Sequence, residues 1–302
     1  RLASIYLAYL CHALTPDGFF HNLMSYDRRW IDARGSEDSH GRALWAAGTL
    51  SASPSLREMA RCARQLFEAA VGAVEGFRSP RALGFALLGL KEYLTAFPDA
   101  PAAALVKPLA DRLVRAYDHH QGPDWAWFEN ALTYSNGILP AALLSAYALT
   151  GEERYAAVGQ ATLDFLTRVT VVEDMLSPVG CHGWYARGGP RAHFDQQPVD
   201  VAATVLAYLY GWRVLAAEDY RRLALLAFEW FLGRNVLGLS LVNAETGGCH
   251  DGLTPTGVNG NQGAESQVAY LLAYQAVLSA GLAPAGLENS RACGSHWRAS
   301  AG

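Results

Sequence analysis

Four acids in this chain stand ahead of apolar runs, each among aromatic, amide or imidazole side chains. Asp38 lies in RGSEDSHGRALWAAG with Glu37, His40 and Arg42. Glu129 lies in DWAWFENALTYSN with Trp125, Trp127, Asn130 and Tyr134. Asp195 sits in HFDQQP between His182, Trp184 and Tyr185 upstream and Gln196 and Gln197 downstream. Glu265 lies in NQGAES, with Asp251, Asn261 and Gln262 before it.

An acid before an apolar run has two readings. As a cap, Ser36 or Asp38 satisfies free N–H groups, and acids suit the positive end of the helix dipole. As chemistry, aromatic faces stack on sugar C–H surfaces while carboxylates and amides grip hydroxyls. Two carboxyl groups flanking a glycosidic oxygen then hydrolyse it, inverting the anomer at about 6.5–9.5 Å separation and retaining it at about 5–5.5 Å. Glu265 or Glu129 suits the general acid, and a general acid at neutral pH needs apolar neighbours that raise its pKa. Asp38, and after it Asp195, suits the base or water-holder. The remaining residues named above suit sugar binding, although Trp125 and Trp127 alternate, which allows one to be core. His40, His182 and His250 leave open a sugar epimerase or isomerase working with paired histidines. A third reading is a domain that binds sugar without turning it over.

No ligand set accompanies Cys249 and His250, so a metal is not expected. No glycine-rich phosphate loop follows a strand, and neither GxSxG nor CxxC occurs, so no cofactor is expected.

The elements that carry these clusters read as helices throughout, with strand-like alternation nearly absent. Periodicity places helices at about 1–13, 39–50, 54–75, 80–96, 100–119, 129–149, 152–171, 197–215, 217–232 and 264–281. Short links after 50, 75, 96, 149 and 215 make neighbours antiparallel. Long loops at 14–38, 120–128, 172–196 and 233–263 then gather at one end, each entering an apolar helix. Those apolar helices alternate with amphipathic ones such as SLREMARCARQLFEAAVGAV. The pattern predicts an all-α fold, an (α/α)6 toroid of inner and outer helices. It forms a single domain over 1–302 and lacks part of the first hairpin.

The chain of 302 residues is 51% hydrophobic and 17% charged, with formal net charge -4. No Lys/Arg block occurs, which argues against nucleic acid and anionic membranes. No apolar run reaches the roughly 18 residues of a membrane span. RLASIYLAYLCHAL runs directly into PDGFFHN without a small-residue cleavage site and reads as a folded helix. The five cysteines, Cys11, Cys62, Cys181, Cys249 and Cys293, fit free thiols in a reducing cytoplasm.

Several stretches together resemble a known family: DGFFHNLMSYDRRW, GSEDSHGRALWAAGT, DWAWFENALTYSNGILP, SPVGCHGWY, HFDQQPVDVAATV, FLGRNVLGL and TGGCHDGLTPTGVNGNQGAES. The likeness is to bacterial helical-toroid domains that often carry the name glycosyltransferase because many are fused behind a glycosyltransferase domain. It implies a carbohydrate ligand and a glycosyltransferase domain or partner. The family's second cluster has acids where this chain has Asn130 and Ser135, and an upstream helix opening with Thr-Asp-Asp-Asn has no counterpart here. FLGRNVLGLS also resembles the Leu-Gly-Arg-Asn stretch of (α/α)6 endoglucanases, and Glu265 matches the place of their general acid.

Overall fold

The computed structural model describes residues 1–283. Among them are ten α-helices: α1 (Leu2–Ala13), α2 (Glu37–Ser51), α3 (Arg57–Ala70), α4 (Pro80–Ala96), α5 (Val106–His120), α6 (Ile138–Thr150), α7 (Glu153–Thr170), α8 (Pro198–Leu215), α9 (Glu218–Glu229) and α10 (Ala264–Ser279). No helix among the described residues is long and apolar enough to cross a membrane. The helices fall into two compact units. One comprises Arg1–Glu129 with Ile138–Ala161; the other comprises Asn130–Gly137 and the chain from Thr162.

In the first unit, α4 is the central element, packed against α2, α5 and α6. Its start is dictated locally. Ser79 accepts from the Ala82 N–H, and Pro80 supplies a preset φ where no N–H is needed. Every residue from Arg81 to Leu90 is buried. The α2–α4 packing is close enough to require glycine: a Cβ on Gly48 would lie 2.3 Å from the Gly89 carbonyl oxygen. The amphipathic helices α3 and α5 flank this pair and carry the charges, such as the Arg64–Glu68 pair on α3.

In the second unit, α8 packs against α9 and α10. Residues Val201–Leu209 of α8 are buried without interruption, as expected of a helix apolar all round. α10 departs from that expectation. It buries Ala269, Tyr270, Ala273 and Val277, while Val268, Leu271 and Leu272 remain exposed, because among the described residues nothing covers that face.

Four spans differ from periodicity. The helix expected over 217–232 is α-helical only to Glu229 and closes as a 3-10 turn, Trp230–Leu232. The helix expected from 129 begins at Ile138. Ala131–Leu132 instead pair antiparallel with Tyr185–Ala186, and the Asn136 side chain closes a turn on the N–H and carbonyl of Thr133. The helix expected over 54–75 is α-helical only to Ala70 and tightens to a 3-10 turn over Val71–Gly76. The one expected from 100 opens with a 3-10 turn, Pro101–Leu105, before α5.

Candidate functional site

The first unit gathers its acids at the N-terminal ends of α2 and α4, and arginine meets most of them. Ser36 is the cap of α2, accepting from Ser39 N–H at 3.1 Å. Asp38 lies in the first turn of α2; one turn on, Arg42 Nε donates to it at 2.9 Å and lies over the Phe85 ring. Glu37 reaches across to cap the neighbouring helix, accepting from the N–H groups of Arg78 and Ser79, both at 2.7 Å. Arg81, with 4% of its side chain exposed, donates to Glu129 at 2.6 Å. Burial of a guanidinium requires such a partner. Nothing in the local spacing marks Arg81 except its type: an arginine inside PRALGFALLGL needs a buried acceptor.

Three expected sugar contacts of this unit lie in the core. Trp127 has no exposed surface. Trp125 is 3% exposed, and its indole N–H donates to the Glu129 carbonyl at 2.7 Å. His40 packs edge-on against Phe19, Phe20 and Phe77, with one ring nitrogen 3.1 Å from the Ala70 carbonyl. Burial pushes its pKa down to about 4, and the Ala70 contact opposes this only in part. The ring is therefore neutral at pH 7.

The second unit is built differently. Short pairings draw three loops together. Ala131–Leu132 join Tyr185–Ala186, with the Arg187 N–H on the Asn130 carbonyl at 2.8 Å; Gln196 and Leu253 then exchange backbone hydrogen bonds at 2.9 Å. Asn130, Tyr134, Trp184, Tyr185, Asp195 and Gln197 lie along these segments and retain exposed surface. Gln196 does not. It is fully buried, donates to Ser177 Oγ and the His193 carbonyl, and accepts from the Trp230 indole at 2.9 Å. Its amide ties the loop to the core and is spent there.

The loop before α10 is organised by Asp251. Its carboxylate accepts from Gly263 N–H at 2.7 Å and from the Asn261 amide at 2.5 Å, and Ser266 donates to it as well. Burial alone would raise this carboxyl; the Gly263, Ser266 and Asn261 donors outweigh it and hold the group below its usual range. Gly263 is constrained by that contact, since a Cβ there would lie 3.0 Å from an Asp251 oxygen. Cys249 N–H is anchored to Gln267 on α10, and the His250 ring faces the Asn259 carbonyl through Nδ1 at 2.8 Å. Asn261 and Gln262 are exposed, as is His182.

Between the N-termini of α8 and α10 lies a cavity of about 240 Å3, lined by Gln197, Pro198, Val199, Asp251, Gly263, Ala264, Glu265 and Ser266. The N-terminal ends of two helices border it, and the free N–H groups and positive dipole ends of such termini suit oxygen-rich ligands. Sequence spacing brought Glu265, Asp251 and Gln197 to loop ends; the fold puts them in one cavity. Pro198, Val199 and Ser266 join them, and only the Ser266 hydroxyl among these carries a polar signal that spacing alone could have used. Among the described residues no three His, Cys, Asp or Glu side chains gather as a metal site needs.

The fold defines a class. It is that of the (α/α)6 toroids, a fold also seen in solved structures of a sugar epimerase and a glucuronyl hydrolase. One is a sugar epimerase from a ruminal bacterium, with TM-score 0.63 and 16% identity over 91% of this chain and 82% of that one. A second is cellobiose 2-epimerase from Bacillus thermoamylovorans, at 0.59 and 12% over 90% and 84%. A third is the unsaturated glucuronyl hydrolase of Bacillus sp. GL1, at 0.58 and 17% over 90% and 76%. At these identities the likeness is one of fold. No protein-family profile and no curated sequence matches the chain.

Proposed function

We propose that this chain is a glycoside hydrolase acting on an oligo- or polysaccharide, with its chemistry at the cavity between α8 and α10. The observation that carries this reading is Glu265 lining one cavity with Asp251 and Gln197 at two helix N-termini. Glu265 is the proton donor to the leaving oxygen. Asp195, two residues ahead of Gln197 and without an ion pair among the described residues, is the carboxylate that activates water. Asp251 is a positioning residue: it fixes the loop and the first turn of α10, so that Glu265 meets the sugar in one orientation. Gln197 holds hydroxyls, while Trp184 and Tyr185 offer faces for stacking. The cavity is smaller than the about 300–1,000 Å3 of sites enclosing drug-sized ligands, which suits one sugar ring with the chain extending outward. Hydrolase relatives in fold, the glucuronyl hydrolase among them, support the class of reaction.

The test is a panel of gluco-, manno- and galacto-oligosaccharides, incubated with the protein and followed by NMR. Release of a reducing sugar supports the proposal, and the first anomer formed tells inversion from retention. A change of configuration without cleavage would instead support epimerisation. That second reading draws on the two epimerases similar in fold and on His250, whose ring is held by the contact of Nδ1 with the Asn259 carbonyl at 2.8 Å. Binding without turnover would point to an accessory domain beside a glycosyltransferase. Support for that partner comes from the sequence resemblance.

A further inference from the structure

Cys11 on α1 and Cys62 on α3 are 51 residues apart in sequence, yet their sulfurs lie 3.5 Å from one another. All four cysteines among the described residues are free thiols; Cys293 lies outside them. No other pair of them is in contact. α1 is held lightly: of its 12 residues only Leu7 and Ala13 are buried, and Leu2, Ile5, Tyr6 and Tyr9 present apolar surface to solvent. α3 is one of the elements it packs on, and the two thiols sit at that contact. Cys11 is exposed, so a small reagent reaches it; Cys62 is half-buried behind it. Cys249, by contrast, is fully buried.

We propose that Cys11 and Cys62 are a built disulfide site, closed by exchange with a small-molecule disulfide, and that closure ties α1 to α3. The exchange proceeds in two steps. Deprotonated Cys11 attacks one sulfur of the small disulfide, forms a mixed disulfide and expels one small thiolate. Deprotonated Cys62 then attacks the Cys11 sulfur and expels the second. The two protons lost by the protein are taken up by the departing thiolates, so two protein thiols are oxidised while one small disulfide is reduced to two thiols. The sulfurs must close from 3.5 Å to about 2.05 Å, a distance that side-chain rotation at an exposed helix contact spans. The closed loop restrains the unfolded chain more than the folded one, so oxidation raises thermal stability. Burial, and beyond it the adjacent Cys62 thiol, push Cys11 up to about 11. Exchange is therefore slow at pH 7 and speeds up about tenfold per unit as pH rises toward that value.

The test equilibrates the folded protein with oxidised glutathione at pH 8.5, blocks remaining thiols by alkylation and maps peptides without reduction. The expected result is a peptide pair joined through Cys11 and Cys62, with a melting midpoint several degrees above that of the reduced protein. In Cys62→Ser the reaction stops at a glutathione adduct on Cys11, with no such gain. The proposal is overturned if wild-type Cys11 and Cys62 stay alkylatable, if they end as two separate glutathione adducts, or if either joins another cysteine. The wild-type peptide map decides the question even if the variant folds poorly.

Discussion

The two units bring acids to helix N-termini and treat them in opposite ways. In the first, Asp38 is held by Arg42 and Glu129 by a buried Arg81, while Glu37 caps α4. In the second, no arginine or lysine lines the cavity at α8 and α10. Asp251 is held by neutral donors from its own loop and helix start, and Glu265 makes no side-chain hydrogen bond or ion pair among the described residues. A carboxylate hydrogen-bonded to a buried guanidinium is held in place, which serves architecture. A carboxylate on an open helix start, without an ion pair among the described residues, is accessible to a ligand. Composition alone cannot tell these apart, because both ends are rich in the same acids.

Substitution separates them. The largest effect is expected in the second unit. Glu265→Gln keeps shape and hydrogen bonding but removes the proton, so kcat for the best oligosaccharide should fall about 10²–10⁴-fold while sugar binding persists. Equal loss from Glu129→Gln would erase the contrast.

In the first unit the cost falls on folding. Glu129→Gln removes the carboxylate charge that meets the buried Arg81 guanidinium at 2.6 Å. Urea denaturation should show a loss of about 2–3 kcal/mol, below the about 3–5 kcal/mol of a fully buried pair because Glu129 is 31% exposed. Chemistry at the cavity should be intact in the fraction that folds.

The starts of α2, α4 and α8 follow from local signals, Ser36, Ser79-Pro80 and Pro198, and the periodicity between them is strong. The start at 138 rather than 129 is not local. It depends on Ala131–Leu132 meeting a strand more than 50 residues away, and no window of sequence contains that partner. The same holds for side chains. Trp127 and Gln196 have types suited to sugar contact, but Gln196 is claimed by Ser177 and the Trp230 indole, and both side chains end in the core. His40 is a polar residue at a helix start until Phe19, Phe20 and Phe77 close around it.

That last burial makes a pH prediction specific to the first unit. His40 has a folded pKa of about 4, below the roughly 6.5 of an unfolded histidine. Below 6.5 the unfolded chain binds the proton and the folded one does not. Stability present above pH 6.5 is therefore lost as pH falls toward 4, by about 3 kcal/mol in all. Urea midpoints measured across this range should show the slope, and His40→Phe should flatten it. A wild-type midpoint constant from pH 7 to 4.5 would contradict the burial argument.

The smallest effect belongs to Asp38, the residue that sequence suits to the base or water-holder. Asp38–Arg42 is a half-exposed i,i+4 pair, with 25% and 36% of the side chains accessible. Asp38→Asn should cost about 0.5 kcal/mol in denaturation and little in activity. A large loss of kcat there would move the chemistry into the first unit.

The most direct test of the contrast is a crystal structure of Glu265→Gln grown with the oligosaccharide panel. The account predicts an intact sugar in the cavity between α8 and α10, a glycosidic oxygen within hydrogen-bond reach of the residue 265 amide, and the Asp251 loop unmoved. A sugar seated instead against Arg81 and Glu129, with the α8–α10 cavity empty, would contradict it.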